Sequence, residues 1–341
     1  MTDVTTAPPR RALPPKKQGI RITSLEVFCV LLVLALLFNG PLVRLLDRPG
    51  IQTGATVFVA VVVQAFPFLV FGVLISGLIA AFVPPAVLRR LLPRNQAAAV
   101  PVAGLAGLAL PGCECASVPV SRRLMQQGVP PAAAIAFLLA APAVNPVVLV
   151  STAVAFPGEP RMVLARFLGS LGTAVVMGWL WARFGRLEWF HERALRRIER
   201  HAGESRIGVF AETARHDLVE ASGFLVLGAL TSAVLNVLVP AAVFDSLAGQ
   251  LLLSVLVMAV LAVVLALCSE ADAFVAASLS ALPLLPRLVF LVVGPAVDVK
   301  LIALQSGVFG RKFATRFAPT TFVVAIACGL LAGVLVLGGV R

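Results

Sequence analysis

Charge is scarce in this sequence: only 13% of its 341 residues are Asp, Glu, Lys or Arg, and tyrosine is absent altogether. A soluble globular domain carries about a quarter charged residues, so a soluble enzyme is excluded. A disordered chain is excluded as well, because 60% of the residues are apolar and the mean hydropathy is +1.00, the opposite of the polar composition that keeps a chain unfolded. The five cysteines fall at irregular spacing, and Cys29 and Cys328 stand singly inside apolar runs as packing residues; this is no disulfide framework. All three histidines, His191, His201 and His216, lie in one charged stretch. A site within the apolar part must therefore be built from thiols, carboxylates and amides. There is no Gly-x-x-x-x-Gly-Lys loop, which removes direct ATP drive within the chain, and no cofactor is implied.

The net charge of +12 raises the question of a polyanionic partner. The basic residues cluster between apolar blocks, as in membrane loops, so the expected surroundings are a lipid bilayer and no nucleic acid. Blocks able to cross about 30 Å of hydrocarbon occupy 25–46, 55–83, 131–155, 161–184, 218–240, 287–309 and 319–340. Two further stretches, 97–127 and 251–282, are apolar but broken midway, by Pro111-Gly112-Cys113-Glu114-Cys115 and by Cys268-Ser269-Glu270-Ala271-Asp272. Irregular backbone at membrane depth is tolerated only where protein or a cavity covers it, and each is read as a re-entrant helical hairpin. The expected fold is an all-α integral membrane protein with seven full transmembrane helices and two re-entrant hairpins.

Residues 1–22, with Pro8, Pro9, Pro14, Pro15, Lys16 and Lys17, read as a disordered basic cytoplasmic tail. The apolar block behind it is long enough to span and reads as a helix rather than a signal peptide. Arg10, Arg11, Lys16, Lys17 and Arg21, then Arg89, Arg90 and Arg94, then Arg311, Lys312 and Arg316 all fall on one side, which the positive-inside rule makes cytoplasmic. Eight arginines and six acids between 183 and 217 mark a charged cytoplasmic linker on that same side.

The two halves repeat. Gly72, Ser76, Val83 and Pro84 match Gly228, Ser232, Val239 and Pro240 at an offset of 156; Cys113 matches Cys268 at 155; Pro142-Ala143-Val144-Asn145 matches Pro295-Ala296-Val297-Asp298 at 153; Arg166-Phe167 meets Arg316-Phe317 at 150. Ordered matches with a slowly shrinking offset are what small loop deletions leave behind. The expected organisation is a tail (1–22), an N-terminal transmembrane helix and loop (23–54), a first repeat (55–184), a charged linker (185–216) and a second repeat (217–341). Three spans plus one hairpin per repeat is an odd number of crossings, so the second copy enters from the opposite side. Such inverted repeats with discontinuous helices carry a substrate site near the midplane where they meet.

Four carboxylates lie within apolar segments: Glu114, Glu270, Asp272 and Asp298. Each costs about 2.5–3.5 kcal/mol at a helix centre on insertion scales, which points to a polar cavity or a proton path. Lys300 stands two positions after Asp298 and faces away from it on an intact helix; Gly294-Pro295 is expected to break that helix and let the two converge. Cys113 and Cys115 flank Glu114 after Pro111-Gly112, and in an extended segment both sulfurs project to one side. With Cys268 at the matching break, three sulfurs suit a thiophilic ligand such as trivalent arsenic, monovalent copper or zinc. Asn145-Pro146 matches Asp298, and the lost backbone donor there frees carbonyls for an ion or water. Gly104, Gly107 and the Gly72/Ser76 and Gly228/Ser232 pairs read as close helix packing.

The segment Leu110-Pro111-Gly112-Cys113-Glu114-Cys115-Ala116-Ser117-Val118-Pro119-Val120, followed by Gly128-Val129-Pro130 and Ala140-Ala141-Pro142-Ala143-Val144-Asn145-Pro146, resembles the predicted bacterial permease family that includes the ArsP-type organoarsenical exporters. The similarity extends over 55–340. It implies a multi-pass permease of the bacterial inner membrane, with trivalent organoarsenicals as the substrate of the characterised branch and cysteines as arsenic ligands. The Cys-Glu-Cys and Ser-Glu-Ala-Asp pattern looks more like a subgroup paired with a second membrane protein and linked in part to divalent-metal supply. Function is carried onto Cys113, Cys115, Asn145, Pro146, Cys268, Glu270, Asp272 and Asp298.

The expected function is a secondary permease, not an enzyme, for a small thiophilic solute, with Cys113, Cys115 and Cys268 as ligands. Glu114, Glu270, Asp272, Asp298 and Lys300 supply countercharge or proton coupling. Two rivals stand beside it: a subunit of a zinc-type, two-component permease, and a membrane-embedded thiol oxidoreductase using the paired cysteines. A homo-oligomer is compatible with each.

Overall fold

A computed structural model describes residues 49–84, 95–110, 114–190, 205–238, 251–280 and 282–338, with positions 87, 92, 93 and 194. Among these residues there is no strand. In chain order the helices are α1 (Pro49–Phe82), α2 (Gln96–Ala106), α3 (Glu114–Gln126), α4 (Pro131–Val144), α5 (Pro146–Ala155) and α6 (Pro160–Phe184). There follow α7 (Arg206–Leu238), α8 (Leu251–Leu265), α9 (Asp272–Ser278), α10 (Leu284–Ala296), α11 (Val299–Val308) and α12 (Arg311–Leu337). Short 3₁₀ turns occupy Gly107–Ala109 and Leu187–Trp189. From Thr53 onward the contacts define one compact unit.

Six stretches are long and apolar enough to cross a membrane: Pro49–Phe82, Pro131–Ala155, Pro160–Phe184, Arg206–Val234, Leu284–Val308 and Arg311–Leu337. The chain is therefore a multi-pass membrane protein. These stretches overlap six of the seven expected blocks. The block at 25–46, the tail at 1–22 and the basic residues Arg89, Arg90 and Arg94 lie outside the described residues. Gln96–Ala109 and Leu251–Leu265 are apolar but shorter; at about 1.5 Å per residue each reaches only about 20 Å. Each is followed by a break and a second helix, α3 or α9.

The element bounds themselves recur. Helices α4 and α5 begin at Pro131 and Pro146 and α10 and α11 at Leu284 and Val299, 153 residues on in both cases; α2 and α8 begin at Gln96 and Leu251, 155 apart. Packing recurs with them: α2 lies on α4 as α8 lies on α10, and α4 lies on α6 as α10 lies on α12. Across the halves, α3 packs on α11 and α9 packs on α5, each broken segment resting on the half-helix of the other half. The centre belongs to Pro131–Ala155 and Leu284–Val308, with 78% and 83% of their most apolar stretch buried against 28–44% in the other four.

Local chemistry explains the breaks. Asn145 is extended, accepts Val148 N–H at 3.0 Å through Oδ1, and sets Pro146 at the first position of α5, where a missing N–H costs nothing. Asp298 caps α11 in the same way by accepting Leu301 N–H. The break in the second half falls at Val297–Asp298 and not at Gly294-Pro295, which stay helical. Pro295 removes one donor, yet Val297 N–H still reaches Val293 O at 2.9 Å, so the helix ends where Asp298 offers its own cap. Between α3 and α4, Gly128 takes φ +90° and Val129 N–H returns to Leu124 O at 3.0 Å, a left-handed helix end that suits glycine.

Candidate functional site

Glu114 opens α3 and Lys300 stands in the first turn of α11; each is 1% exposed, and Glu114 Oε1 pairs directly with Lys300 Nζ. An ammonium inside a membrane needs such partners. Lys300 has two more: Asp298 Oδ2 at 3.8 Å and the carbonyl of Ala266, which accepts at 3.3 Å. Ala266 has φ +48°, a left-handed conformation that costs a non-glycine residue about 1–3 kcal/mol. The strained residue is thus the one whose carbonyl receives the buried cation. Expected to converge with Asp298, Lys300 does so, but its nearest carboxylate is that of Glu114.

The break after α8 meets the start of α3. Ser269 Oγ donates to Glu114 Oε2 at 3.4 Å, and these two residues are mates at the 155-residue offset. On the other side of Ser269, its carbonyl accepts from Arg166 Nη2 at 2.8 Å; Arg166 also donates to Thr152 Oγ1 at 2.7 Å and to Asp272 Oδ2 at 3.5 Å. Arg166 is fully buried and Asp272 is 2% exposed. Gly294 makes room for this pair, since a Cβ there would stand 3.1 Å from Asp272 Oδ2.

Glu114 and Lys300 lie within electrostatic reach of Glu270, Asp272 and Asp298, and Arg166 lies within reach of Glu270 and Asp272. Four acids face two bases, an excess of two acidic groups. Among the described residues, neither oxygen of Glu270 nor Oδ1 of Asp272 has another residue's donor, although all three are buried. Buried polar atoms are normally hydrogen-bonded, so these three are where a cationic solute or protons would find partners.

A second charged cluster joins the end of α3 to α7. Arg123 Nη2 lies 3.2 Å from Asp217 Oδ2, Ser76 Oγ donates to the same oxygen at 2.8 Å, and Arg122 Nη1 meets Glu220 Oε2 at 2.6 Å. Arg123 and Asp217 are 3% and 6% exposed. Glycines set the helix approach on both halves: a Cβ on Gly72 would lie 2.4 Å from Ala116 Cα, and one on its mate Gly228 would lie 2.8 Å from Lys300 Cα.

A family model described as "Predicted permease" (ArsP_1) matches residues 51–334. The chain belongs to this permease family. A Streptococcus mutans protein named "Putative two-component membrane permease complex subunit" is 31% identical over 284 residues, covering 82% of this chain and 94% of its own. The Bacillus subtilis "UPF0718 protein YcgR" is 34% identical over 292 residues, covering 83% and 96%. No solved structure matches.

Of the residues singled out in its sequence, the permease brings Glu114, Asp298 and Lys300 into direct contact and sets Glu270 and Asp272 beside them. Cys115 and Cys268 are buried cysteines within electrostatic reach of Lys300. Glu114 and Cys115 are the first two residues of a helix, so the extended alternation expected for Cys-Glu-Cys does not hold there: once α3 begins, its period replaces that of a strand. Cys113 lies outside the described residues, and among those described no three His, Cys, Asp or Glu gather to hold a metal ion. Asn145 donates to Ala141 O at 2.9 Å and caps α5, while Pro146 is exposed. Arg166, Thr152, Ser269 and Ala266 were not foreseen as site residues. For Arg166 a signal existed, a guanidinium inside the apolar block 161–184 and away from its ends; a hydroxyl or a carbonyl leaves none.

Proposed function

We propose that this permease is a secondary transporter of a small thiophilic solute, a soft metal or metalloid species, driven by protons or by the membrane potential. The observation that carries the reading is the meeting of two helix breaks, one from each half, at Glu114 and Ser269. It supports two inverted repeats related by an axis in the membrane plane, with the solute entering beside Cys115, Cys268 and the unpaired Glu270. Cys113, three residues after Leu110 at the same break, completes the thiol set in this reading. Re-entrant hairpins, an inner-membrane location and a cytoplasmic N-terminus belong to the same proposal. In proteoliposomes offered arsenite, a methylated trivalent arsenical, copper(I) and zinc, wild type moves at least one species. Cys113→Ser and Asp298→Asn lower that flux at least about tenfold, the usual cost of disturbing a metal-ligand shell. Unchanged flux in both variants overturns the site.

The name of the Streptococcus mutans relative supports a second reading, in which the chain is one subunit of a two-component permease, for a divalent metal such as zinc. Flux that appears only after a partner membrane protein is reconstituted with it decides for the subunit. Flux from the chain alone decides against it.

A further inference from the structure

We infer that the end of α6 and the start of α12 form a binding site for an anionic phospholipid. A cavity of about 430 Å³ lies there, within the size range of ligand pockets. Its walls include Met177, Trp181, Phe184, Trp189 and Phe317, together with Arg316. The walls are held in place by ring contacts: Trp181 lies 5.6 Å from Trp189 in an edge-on arrangement and 5.4 Å from Phe313, and Phe313 stacks on Phe317 at 4.6 Å. The cavity opens outward, with Phe184 67% exposed.

The occupant follows from chemistry and place. Both helices are long and apolar enough to cross the bilayer, and tryptophans at the end of such helices sit at headgroup level. An aqueous metabolite has little to bind in walls this apolar, whereas the glycerol and upper acyl region of a lipid suits them. Charge selects the headgroup. Arg183 lies in the last turn of α6, Arg186 precedes the 3₁₀ turn, and Arg311, Lys312 and Arg316 begin α12. Among the described residues none of these five has an acidic ion-pair partner, although the 3₁₀ turn carries the acid Glu188. The Arg316 guanidinium lies 4.5 Å above the Trp189 ring, so a face is occupied by the ring and its N–H edge remains for a phosphate.

Tryptophan fluorescence reads the site. The chain has three tryptophans, two of them in the cavity wall, and Trp179→Phe removes the third. This variant of the full chain is placed in phosphatidylcholine bilayers with an increasing fraction of brominated phosphatidylglycerol or, in parallel, brominated phosphatidylcholine. Phosphatidylglycerol is expected to quench with an apparent affinity about fivefold higher, the factor one basic side chain contributes at an anionic surface. Adding Arg316→Gln abolishes the difference, and Arg316→Lys, which keeps the charge and the fold, retains most of it. Equal quenching by the two lipids overturns the proposal. So does a preference that survives Arg316→Gln, or one that millimolar inorganic phosphate removes, since a soluble anion is then the ligand.

Discussion

Lys300 is the residue on which the buried charges turn. Its ammonium is 1% exposed and answers Glu114, Asp298 and Ala266 O at once. Removing one member of a buried pair leaves an uncompensated charge and costs about 3–5 kcal/mol, whereas replacing both with apolar groups is often neutral. Glu114→Gln is therefore expected to destabilise the permease by about 3 kcal/mol, read as a lower midpoint in detergent unfolding. Adding Lys300→Met removes the stranded ammonium and restores part of that stability, the rest being withheld because Asp298 then loses its own cation. Flux stays lost in both, which separates the role of the pair in the fold from its role in transport. The acids here were legible because a carboxylate in an apolar segment is expensive enough to demand a reason. Arg166 carries an equal cost but was used only as a mark of the repeat. Its mate Arg316 shares the register without the role, since it lies exposed over Trp189.

At the scale of elements, the broken helices depend on close approach. Gly72 admits the backbone of α3 at Ala116, and nothing lies within 4 Å of a Cβ on Gly223 in α7. Gly72→Ala is expected to lose about 1–3 kcal/mol through overpacking. Gly223→Ala is expected to be neutral or to gain up to about 1 kcal/mol from helix propensity. Unfolding midpoints of the two variants in one detergent make the comparison. The cluster at the end of α3 calls for a different test. Arg123→Ala and Asp217→Ala each leave a buried partner exposed to the same loss, so a double-mutant cycle is expected to return a coupling of about 1–3 kcal/mol. At the matching end of the second half, position 278 is Ser and position 61 is Val, so the ionic tie exists on one side only. Spans and breaks were legible from apolar length and from proline and polar interruptions. The break at Val297 was misplaced by three residues, because a cap decides where a helix stops and its geometry is not written in hydropathy.

For the whole molecule, the balance of four acids against two bases is what the proposed coupling to protons or to the membrane potential rests on. Glu270 is the acid whose oxygens no other described residue pairs, so Glu270→Gln strands no cation and is expected to leave the unfolding midpoint nearly unchanged, unlike Glu114→Gln. Its effect should fall on coupling instead. Each elementary charge moved across the membrane is worth about 2.3 kcal/mol per 100 mV, or about fiftyfold in the accumulation ratio. In proteoliposomes clamped at a 100 mV potassium diffusion potential, wild type and Glu270→Gln are expected to differ by about one such factor, and the variant is expected to lose its response to an imposed pH gradient. Identical accumulation ratios and identical pH responses would take Glu270 out of the coupling path and leave Glu114, Asp272 and Asp298, all tied to buried cations, as the acids able to carry the proton.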